Sequence, residues 1–291
     1  MGNYLTQVAA MAEITQKLTW PGDEHLKTGV DFSSPSDKIV DDWLMMSNGT
    51  PIILILAAYL YFILYLGPRL MEGRKPFDLK YVMIIYNLYN VVFSCWLCWQ
   101  LIGDVEAMSY IYHHQCTPKN RHINNLVYKM NSSSWFYFVS KIVELLDTVF
   151  FVLRKKQNQV TVLHVYHHAN MVASTWAYLK YIRGEQGLLI GFVNSFVHIV
   201  MYSYYLLAAF GPRVQKYLWW KKYITKLQLA QFIFVLSYCA YLLIKNCQFP
   251  KGLTYYAVFQ ATVFLILFMN FYRKAYLQKK LNKEIVKNKS S

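Results

Sequence analysis

The chain of 291 residues is 56% hydrophobic and 18% aromatic, and only 15% of its residues are charged. Soluble globular domains carry about 25% charged residues, so this composition excludes an ordinary soluble domain. The formal net charge is nevertheless +15, but the basic residues stand in short clusters between long apolar runs. This arrangement argues against a nucleic-acid-binding protein and favours an integral membrane protein.

Long apolar runs follow one another along most of the chain. A helix needs roughly 20 mainly apolar residues to cross the hydrocarbon core of a bilayer. Residues 1–50 are polar and form a predicted N-terminal segment, and residues 273–291 form a basic tail. The region 51–272 between them is predicted to be one all-α membrane domain of seven helices. The predicted spans are 51–67, 81–102, 134–153, 160–179, 187–209, 223–244 and 252–271.

Basic residues near the span ends orient the chain in the membrane. One set of segments outside the spans holds 18 Lys and Arg, and the alternating set holds 10. Cytosolic segments carry the excess of basic residues. We therefore predict a lumenal N-terminus and a cytosolic C-terminus. Cys116 and Cys247 then fall in two lumenal loops, where oxidation is permitted, and we predict one disulfide between them.

The third span carries charged side chains. Lys141, Glu144 and Thr148 are spaced for one helix face, and Asp147 is adjacent. Polar groups are costly in lipid, so this face should line the protein interior or a cavity. The Lys141–Glu144 pair is compatible either with a functional site or with an internal salt bridge that only fixes packing.

Histidines mark the fourth and fifth spans. His164, His167 and His168 lie three and four residues apart, so they share one face near the predicted cytosolic end of the fourth span. In the fifth span His198 shares a face with Asn194 and Tyr202, each one turn away. A single intramembrane histidine is often a packing residue, but four on neighbouring helices favour a functional site.

The sixth span completes a pattern of polar stripes. Thr225, Gln228 and Gln231 follow at three-residue intervals, although the two glutamines are also compatible with simple interhelical hydrogen bonds. Four successive helices thus each present one polar stripe, which is typical of a bundle with a polar centre.

A metal site is the main alternative to a metal-free histidine site. A His-x-x-His-His box also occurs in di-iron membrane desaturases and hydroxylases, which need several such boxes on the cytosolic side. Here His25, His113, His114 and His122 fall in predicted lumenal segments, which leaves four histidines. We predict no metal, with a mononuclear histidine site as the alternative. The depth of the box toward the cytosol argues against a receptor with an outward-facing pocket, and a transporter that uses the intramembrane charges as a relay would show solute flux.

Taken together and in order, these motifs resemble the ELO family of very-long-chain fatty acid elongases, the membrane 3-ketoacyl-CoA synthases. The resemblance covers about 41–275. The box with its preceding Asn158-Gln159-Val160-Thr161 and its internal Tyr166 is most similar to the branch acting on polyunsaturated and very long acyl chains. The motifs are Lys141-x-x-Glu144-x-x-Asp147-Thr148, the box 164–168, Asn194-x-x-x-His198-x-x-Met201-Tyr202-x-Tyr204-Tyr205, and Thr225-x-x-Gln228-x-x-Gln231.

The resemblance implies a fold and a reaction. The last six helices would form an inverted barrel of two three-helix units around an acyl tunnel. The enzyme would condense acyl-CoA with malonyl-CoA without a cofactor, through an acyl-imidazole on His167 with His198 as its partner. His164 and His168 would orient the ring or polarise carbonyls. Glu144 and Asp147 would accept a histidine N–H, and Asn194 or Gln228 would donate to an oxyanion. The full set of supporting residues is Lys141, Glu144, Asp147, Asn194, Tyr202, Tyr205 and Gln228.

The resemblance also implies partners and a location. A family disulfide is consistent with Cys116–Cys247, and the address would be the endoplasmic reticulum membrane. The resemblance implies homo- or hetero-dimers with elongases. It also implies separate reductases and a dehydratase that complete the elongation cycle. The chain itself has no nicotinamide-binding Gly-x-Gly-x-x-Gly, so other proteins must reduce the keto product. Basic residues at the cytosolic mouth would attract the CoA phosphates: Arg154, Lys155, Lys156, Lys221, Lys222 and Arg273.

Overall fold

The structure, a computed structural model, describes residues 39–114, 116, 125–181, 186–245, 247 and 251–278. Within these ranges all regular secondary structure is helical. The helices are α1 (Thr50–Tyr61), α2 (Gly67–Met71), α3 (Lys80–Ile102), α4 (Val105–His114), α5 (Asn125–Glu144), α6 (Leu146–Leu153), α7 (Val162–Tyr181), α8 (Gln186–Ala209), α9 (Pro212–Gln215), α10 (Lys221–Ile244) and α11 (Lys251–Tyr272).

Two of these helices continue through a π-helical turn. The turn Phe62–Leu66 joins α1 to α2, and the turn Arg273–Leu277 extends α11. With these extensions, five helical stretches in the described ranges are long and apolar enough to cross a membrane. They are Thr50–Met71, Lys80–Ile102, Gly187–Ala209, Lys221–Ile244 and Thr254–Leu277. The chain is therefore a multi-pass membrane protein.

The third and fourth predicted spans are long helical regions of lower hydropathy. The predicted span 134–153 is helical with one interruption. Helix α5 begins at Asn125, before the predicted span, and ends at Glu144, so that Leu145 alone separates it from α6. At this junction the amide N–H of Leu145 donates to Ile142 O at 3.2 Å, an i→i−3 hydrogen bond of the kind that tightens a helical turn.

Thr148 follows the junction and contacts the first helix. Its hydroxyl lies 2.8 Å from the Tyr59 hydroxyl of α1. Thr148 is completely buried and therefore connects the first helix to the bundle.

The end of the N-terminal segment packs against the bundle. Lys180 Nζ of α7 donates to Asp41 Oδ1 at 2.7 Å and to Met46 O at 2.8 Å. The side chains of Val40 and Met46 are almost completely buried in a core that includes Phe138 of α5. Residues 39–49 thus belong to the folded domain, while residues 1–38 and 279–291 of the two predicted terminal segments lie outside the described residues.

Helix packing places the functional helices around one interior space. Helix α3 packs along α8, α10 packs along α11, and α5 packs along α7. A disulfide joins Cys116, after α4, to Cys247, between α10 and α11, with a Cα–Cα distance of 4.5 Å. The predicted pairing of these two cysteines is therefore present.

Candidate active site

A cavity of about 970 Å³ occupies one half of the bundle. Its walls come from α3, α6, α7, α8, α10 and α11, and each helix contributes residues from the same half. At the surface the cavity is lined by Arg154, which follows α6, and by Lys221, which begins α10. We call this end of the bundle, defined by Arg154 and Lys221, the basic end. The cavity therefore connects the basic end with the polar interior.

All three histidines of the box on α7 line this cavity. The rings of His164 and His168 are 4.3 Å apart, and those of His167 and His168 are 5.4 Å apart. Thr161 caps the helix, because its hydroxyl accepts the amide N–H of His164 at 3.2 Å. The cap begins α7 at the basic end and holds the box in the first two turns of the helix.

The fourth histidine faces the same cavity from α8. His198 lines the cavity together with Asn194, one turn earlier on the helix. The predicted common face of Asn194, His198 and Tyr202 is present, since all three contact the region around α5 and α6. The structure therefore brings together the four histidines that the sequence predicts for the site.

A buried ion pair lies behind His198. Lys141 Nζ is 2.7 Å from Glu144 Oε1, and both side chains are at most 3% exposed. Lys141 Nζ also donates to Asn194 Oδ1 at 3.0 Å, and the Tyr137 hydroxyl donates to the same oxygen at 2.8 Å. Asn194 is thus fixed by two donors from α5, so its amide group has a defined orientation at the cavity wall.

Glu144 also contacts the histidine of α8. Glu144 Oε1 lies 3.1 Å from His198 Nδ1, but the ring N–H is not directed at the oxygen within hydrogen-bonding limits. The two groups are therefore in close contact without a formed hydrogen bond. The carboxylate bridges Lys141 and His198, in keeping with the predicted position of Glu144 beside a histidine.

Asp147 has a different partner from the one the sequence predicts. Its Oδ2 accepts a hydrogen bond from the Tyr202 hydroxyl at 2.7 Å, not from a histidine ring. Tyr202 is completely buried, and its ring packs against Tyr86 of α3 at 6.1 Å. Asp147 therefore faces the buried tyrosine pair of α3 and α8.

The remaining supporting residues also reach the cavity. Gln228 lines it, with its Nε2 3.5 Å from Met201 Sδ. Tyr205 lines it nearer the basic end, where it packs against Tyr204. The polar stripe predicted for the sixth span lies on the cavity wall in full, since Thr225 and Gln231 line the cavity as well.

The six basic residues predicted to bind CoA separate into two groups. Arg154 and Lys221 line the cavity, whereas Lys155, Lys156, Lys222 and Arg273 do not. Lys155 Nζ instead donates to the backbone oxygen of Glu72 at 3.2 Å, because the turn after α6 directs this side chain toward the end of α2. Of the six, only Arg154 and Lys221 therefore line the cavity, and CoA binding by the six residues stays a prediction.

Helix α3 contributes residues that the sequence analysis missed. Lys80, Tyr86 and Asn87 line the cavity, and Asn87 is 2% exposed. Asn90, one turn further on, donates to Tyr86 O at 2.9 Å. Polar residues three to four positions apart in an otherwise apolar span were the signal that could have identified this face.

The buried Nε2 atom of His164 has no hydrogen-bond partner among the described residues. Within the described ranges, no group of three or more His, Cys, Asp or Glu is arranged to hold a metal ion. His25 and His122 lie outside the described residues.

Comparison with known proteins gives consistent results. Residues 44–284 match the ELO family, described as the GNS1/SUR4 family. The chain is 43% identical over 249 residues to very long chain fatty acid elongase 7 of Drosophila melanogaster, covering 85% of this chain and 75% of that protein. It is 43% identical over 248 residues to very long chain fatty acid elongase 4 of Mus musculus (85% and 78%). It is 37% identical over 245 residues to very long chain fatty acid elongase 5 of Xenopus laevis (84% and 81%).

Proposed function

Because this chain belongs to the ELO (GNS1/SUR4) family, we propose that it is a very-long-chain fatty acid elongase. It is a 3-oxoacyl-CoA synthase, an acyltransferase that condenses a long-chain acyl-CoA with malonyl-CoA to 3-ketoacyl-CoA, CO2 and CoA. The observation that carries this proposal is the cavity lined by His164, His167, His168 and His198, which extends to the basic end. Polyunsaturated and very long acyl chains are the proposed substrates.

The distribution of the basic residues sets the proposed orientation of the protein in the membrane. The protein spans the endoplasmic reticulum membrane seven times, with α5–α6 and α7 as the third and fourth spans. The last six spans form an inverted 3+3 barrel around the acyl tunnel. The basic end faces the cytosol, where acyl-CoA and malonyl-CoA are available, and the N-terminus is lumenal. The Cys116–Cys247 disulfide supports this orientation, because disulfides form in the lumen.

The first half of the reaction is acyl transfer to His167. One ring nitrogen attacks the thioester carbon, a C–N bond forms, and the C–S bond breaks. CoA leaves as the thiol and takes the proton of the imidazole N–H. Asn194 supports this assignment, since its amide is held at the cavity wall by Lys141 and Tyr137, and it donates to the developing oxyanion.

The second half is decarboxylative condensation. Malonyl-CoA binds after CoA has left, which gives ping-pong kinetics. Its C–C bond to the carboxylate breaks, the electron pair forms an enolate, and the enolate carbon attacks the acyl carbon. CO2 leaves, the C–N bond to His167 then breaks, and the ring nitrogen takes up a proton from water. His198, held beside Glu144, is the partner residue, and His164 Nε2 polarises a carbonyl oxygen. No cofactor takes part.

The basic end binds CoA, and other proteins act on the product. Arg154 and Lys221 attract the CoA phosphates at the cavity mouth, and the more distant Lys155, Lys156, Lys222 and Arg273 add to the same field. The acyl tail enters the membrane interior. Reductases and a dehydratase process the 3-ketoacyl product, and the enzyme forms homo- or hetero-dimers with elongases.

The decisive test removes the proposed nucleophile. His167→Ala should abolish formation of 3-ketoacyl-CoA from acyl-CoA and labelled malonyl-CoA, while acyl-CoA binding persists because the rest of the cavity is unchanged. His113→Ala is the matched control, since His113 is exposed on α4 and does not line the cavity. Full activity of the His167 variant would refute the assignment of the nucleophile.

A further inference from the structure

His167 lies against an aromatic surface formed by α11. Its ring centroid is 5.1 Å from that of Phe264, with the planes at 62°, and 6.3 Å from that of Phe268, with the planes at 70°. Both contacts have the edge-on geometry of attractive aromatic pairs. One side of the imidazole therefore lies against two phenylalanine rings of this helix.

Phe232, on α10, packs against both of these phenylalanine rings. Phe232 packs on Phe264 at 5.7 Å and on Phe268 at 5.1 Å. Phe232 is 7% exposed and Phe264 is 5% exposed. Phe232 and Phe268 line the cavity, whereas Phe264 lies behind them. We call Phe232, Phe264 and Phe268 the aromatic cluster.

The rest of the cavity wall mixes polar and apolar side chains. Asn194, His198, Gln228 and Gln231 are among the polar ones, and the cavity reaches the surface at the basic end. A space of about 970 Å³ that contains these polar groups is large enough to hold water molecules. The aromatic cluster offers water no hydrogen-bond partner, so His167 has a dry side against the cluster and a side that faces groups able to hold water.

This division matters if His167 carries an acyl group, as the proposed function requires. An acyl-imidazole is an activated acyl compound that water attacks. The water oxygen adds to the acyl carbon, the C–N bond breaks, free fatty acid leaves, and the ring nitrogen takes the proton. The intermediate must survive from the departure of CoA until malonyl-CoA binds, and excluding water is a recognised means of preventing such side reactions.

We propose that the aromatic cluster is a shield that directs the acyl-imidazole toward condensation and away from hydrolysis. The rings of Phe264 and Phe268 hold the imidazole in place, and Phe268, at the cavity wall, covers one approach to the acyl carbon. Phe232 keeps the two rings in position. These residues are positioning and specificity residues: they do not react, but they decide which acceptor, carbanion or water, receives the acyl group.

The test measures how the acyl group partitions in the full-length protein. Purified enzyme is mixed with an acyl-CoA that it elongates, without malonyl-CoA, and CoA and free fatty acid are followed in time. The wild type should release about one CoA per active site and then nearly stop. Phe264→Ala should keep releasing CoA with an equal amount of fatty acid, about tenfold faster than the wild-type rate after the burst.

Further variants separate shielding from folding. Phe268→Ser, at the cavity wall, should raise hydrolysis in the same way, whereas Phe268→Leu, which stays apolar, should remain near wild type. Phe259→Ala is the control on the same helix, because Phe259 is 61% exposed on the outer surface. Wild-type partitioning in both Phe264→Ala and Phe268→Ser would overturn the shield.

The test also distinguishes this inference from the proposed function. His167→Ala should show no burst of CoA at all. A full burst in His167→Ala would refute the acyl-imidazole itself, whatever the phenylalanine variants do. A burst that requires His167, together with unchanged hydrolysis in the phenylalanine variants, would refute the shield alone.

Discussion

Removing the charge of Lys141 should destabilise the protein far more than removing an equally short surface ion pair. Lys141 and Glu144 are 2.7 Å apart, with side chains 2% and 3% exposed. Lys129 and Asp104 are 2.6 Å apart, with side chains 46% and 16% exposed. The two pairs thus have nearly the same length and differ in burial, which makes Lys129 a matched control.

The magnitudes follow from this difference in burial. Lys141→Met leaves the Glu144 carboxylate without its cation and also removes the hydrogen bond to Asn194. Breaking a buried pair on one side costs about 3–5 kcal/mol, whereas an exposed pair contributes about 0–1 kcal/mol. At about 2–4 °C per kcal/mol for a large domain, the unfolding temperature should fall by roughly 10 °C for Lys141→Met and by at most about 4 °C for Lys129→Met.

A double variant separates the charge from the chemistry. Lys141→Met combined with Glu144→Gln leaves no unpaired charge, so much of the lost stability should return. Condensation should stay low in the double variant, because Asn194 has lost a donor that orients it and His198 no longer lies beside a carboxylate. Thermal unfolding of detergent-purified protein gives the stability, and product formation from labelled malonyl-CoA gives the activity.

Two results would refute this account of Lys141 and Glu144. If Lys141→Met unfolds at the same temperature as Lys129→Met, the buried pair does not carry the energetic role that its burial implies. If the double variant regains full activity together with stability, the pair serves packing alone, and its proposed support of Asn194 and His198 is wrong.

Two further predictions concern the cavity mouth and the disulfide. Arg154→Ala should raise the KM for acyl-CoA more than Lys155→Ala, because Arg154 lines the cavity and Lys155 is hydrogen-bonded to the backbone oxygen of Glu72. Equal KM values of the two variants in steady-state assays would contradict this placement of the side chains. Cys247→Ser should lower the free energy of unfolding by about 2–5 kcal/mol, since the Cys116–Cys247 link closes a long loop. Thermal unfolding measures this loss, and adding reductant to that variant should cause no further change.

Much of the candidate site was predictable because its signals are local. His164, His167 and His168 share a face of α7 for the reason the sequence indicates, the period of the helix. The same holds for Asn194 and His198 on α8. Polar side chains in an apolar span must face the protein interior, so residue type and spacing together place them inside the bundle.

The errors of the sequence analysis arose where a local signal was weak or a helix was interrupted. The turn at Leu145 has no Gly or Pro beside it, so the sequence gives no sign that the helix is interrupted there or that Thr148 bonds to Tyr59 of α1. Asn87 stands in a span whose overall hydropathy is high, and its polarity alone did not identify a functional face.

The sequence by itself determined the class of protein, the helical spans with the highest hydropathy and the polar stripes, because composition and helical period are properties of short stretches of chain. Only the tertiary structure decided which stripes meet. It set Asp147 against Tyr202, Glu144 between Lys141 and His198, and three phenylalanines beside His167. Such contacts depend on how separate helices rotate and pack against one another, and no local pattern of residues specifies that rotation.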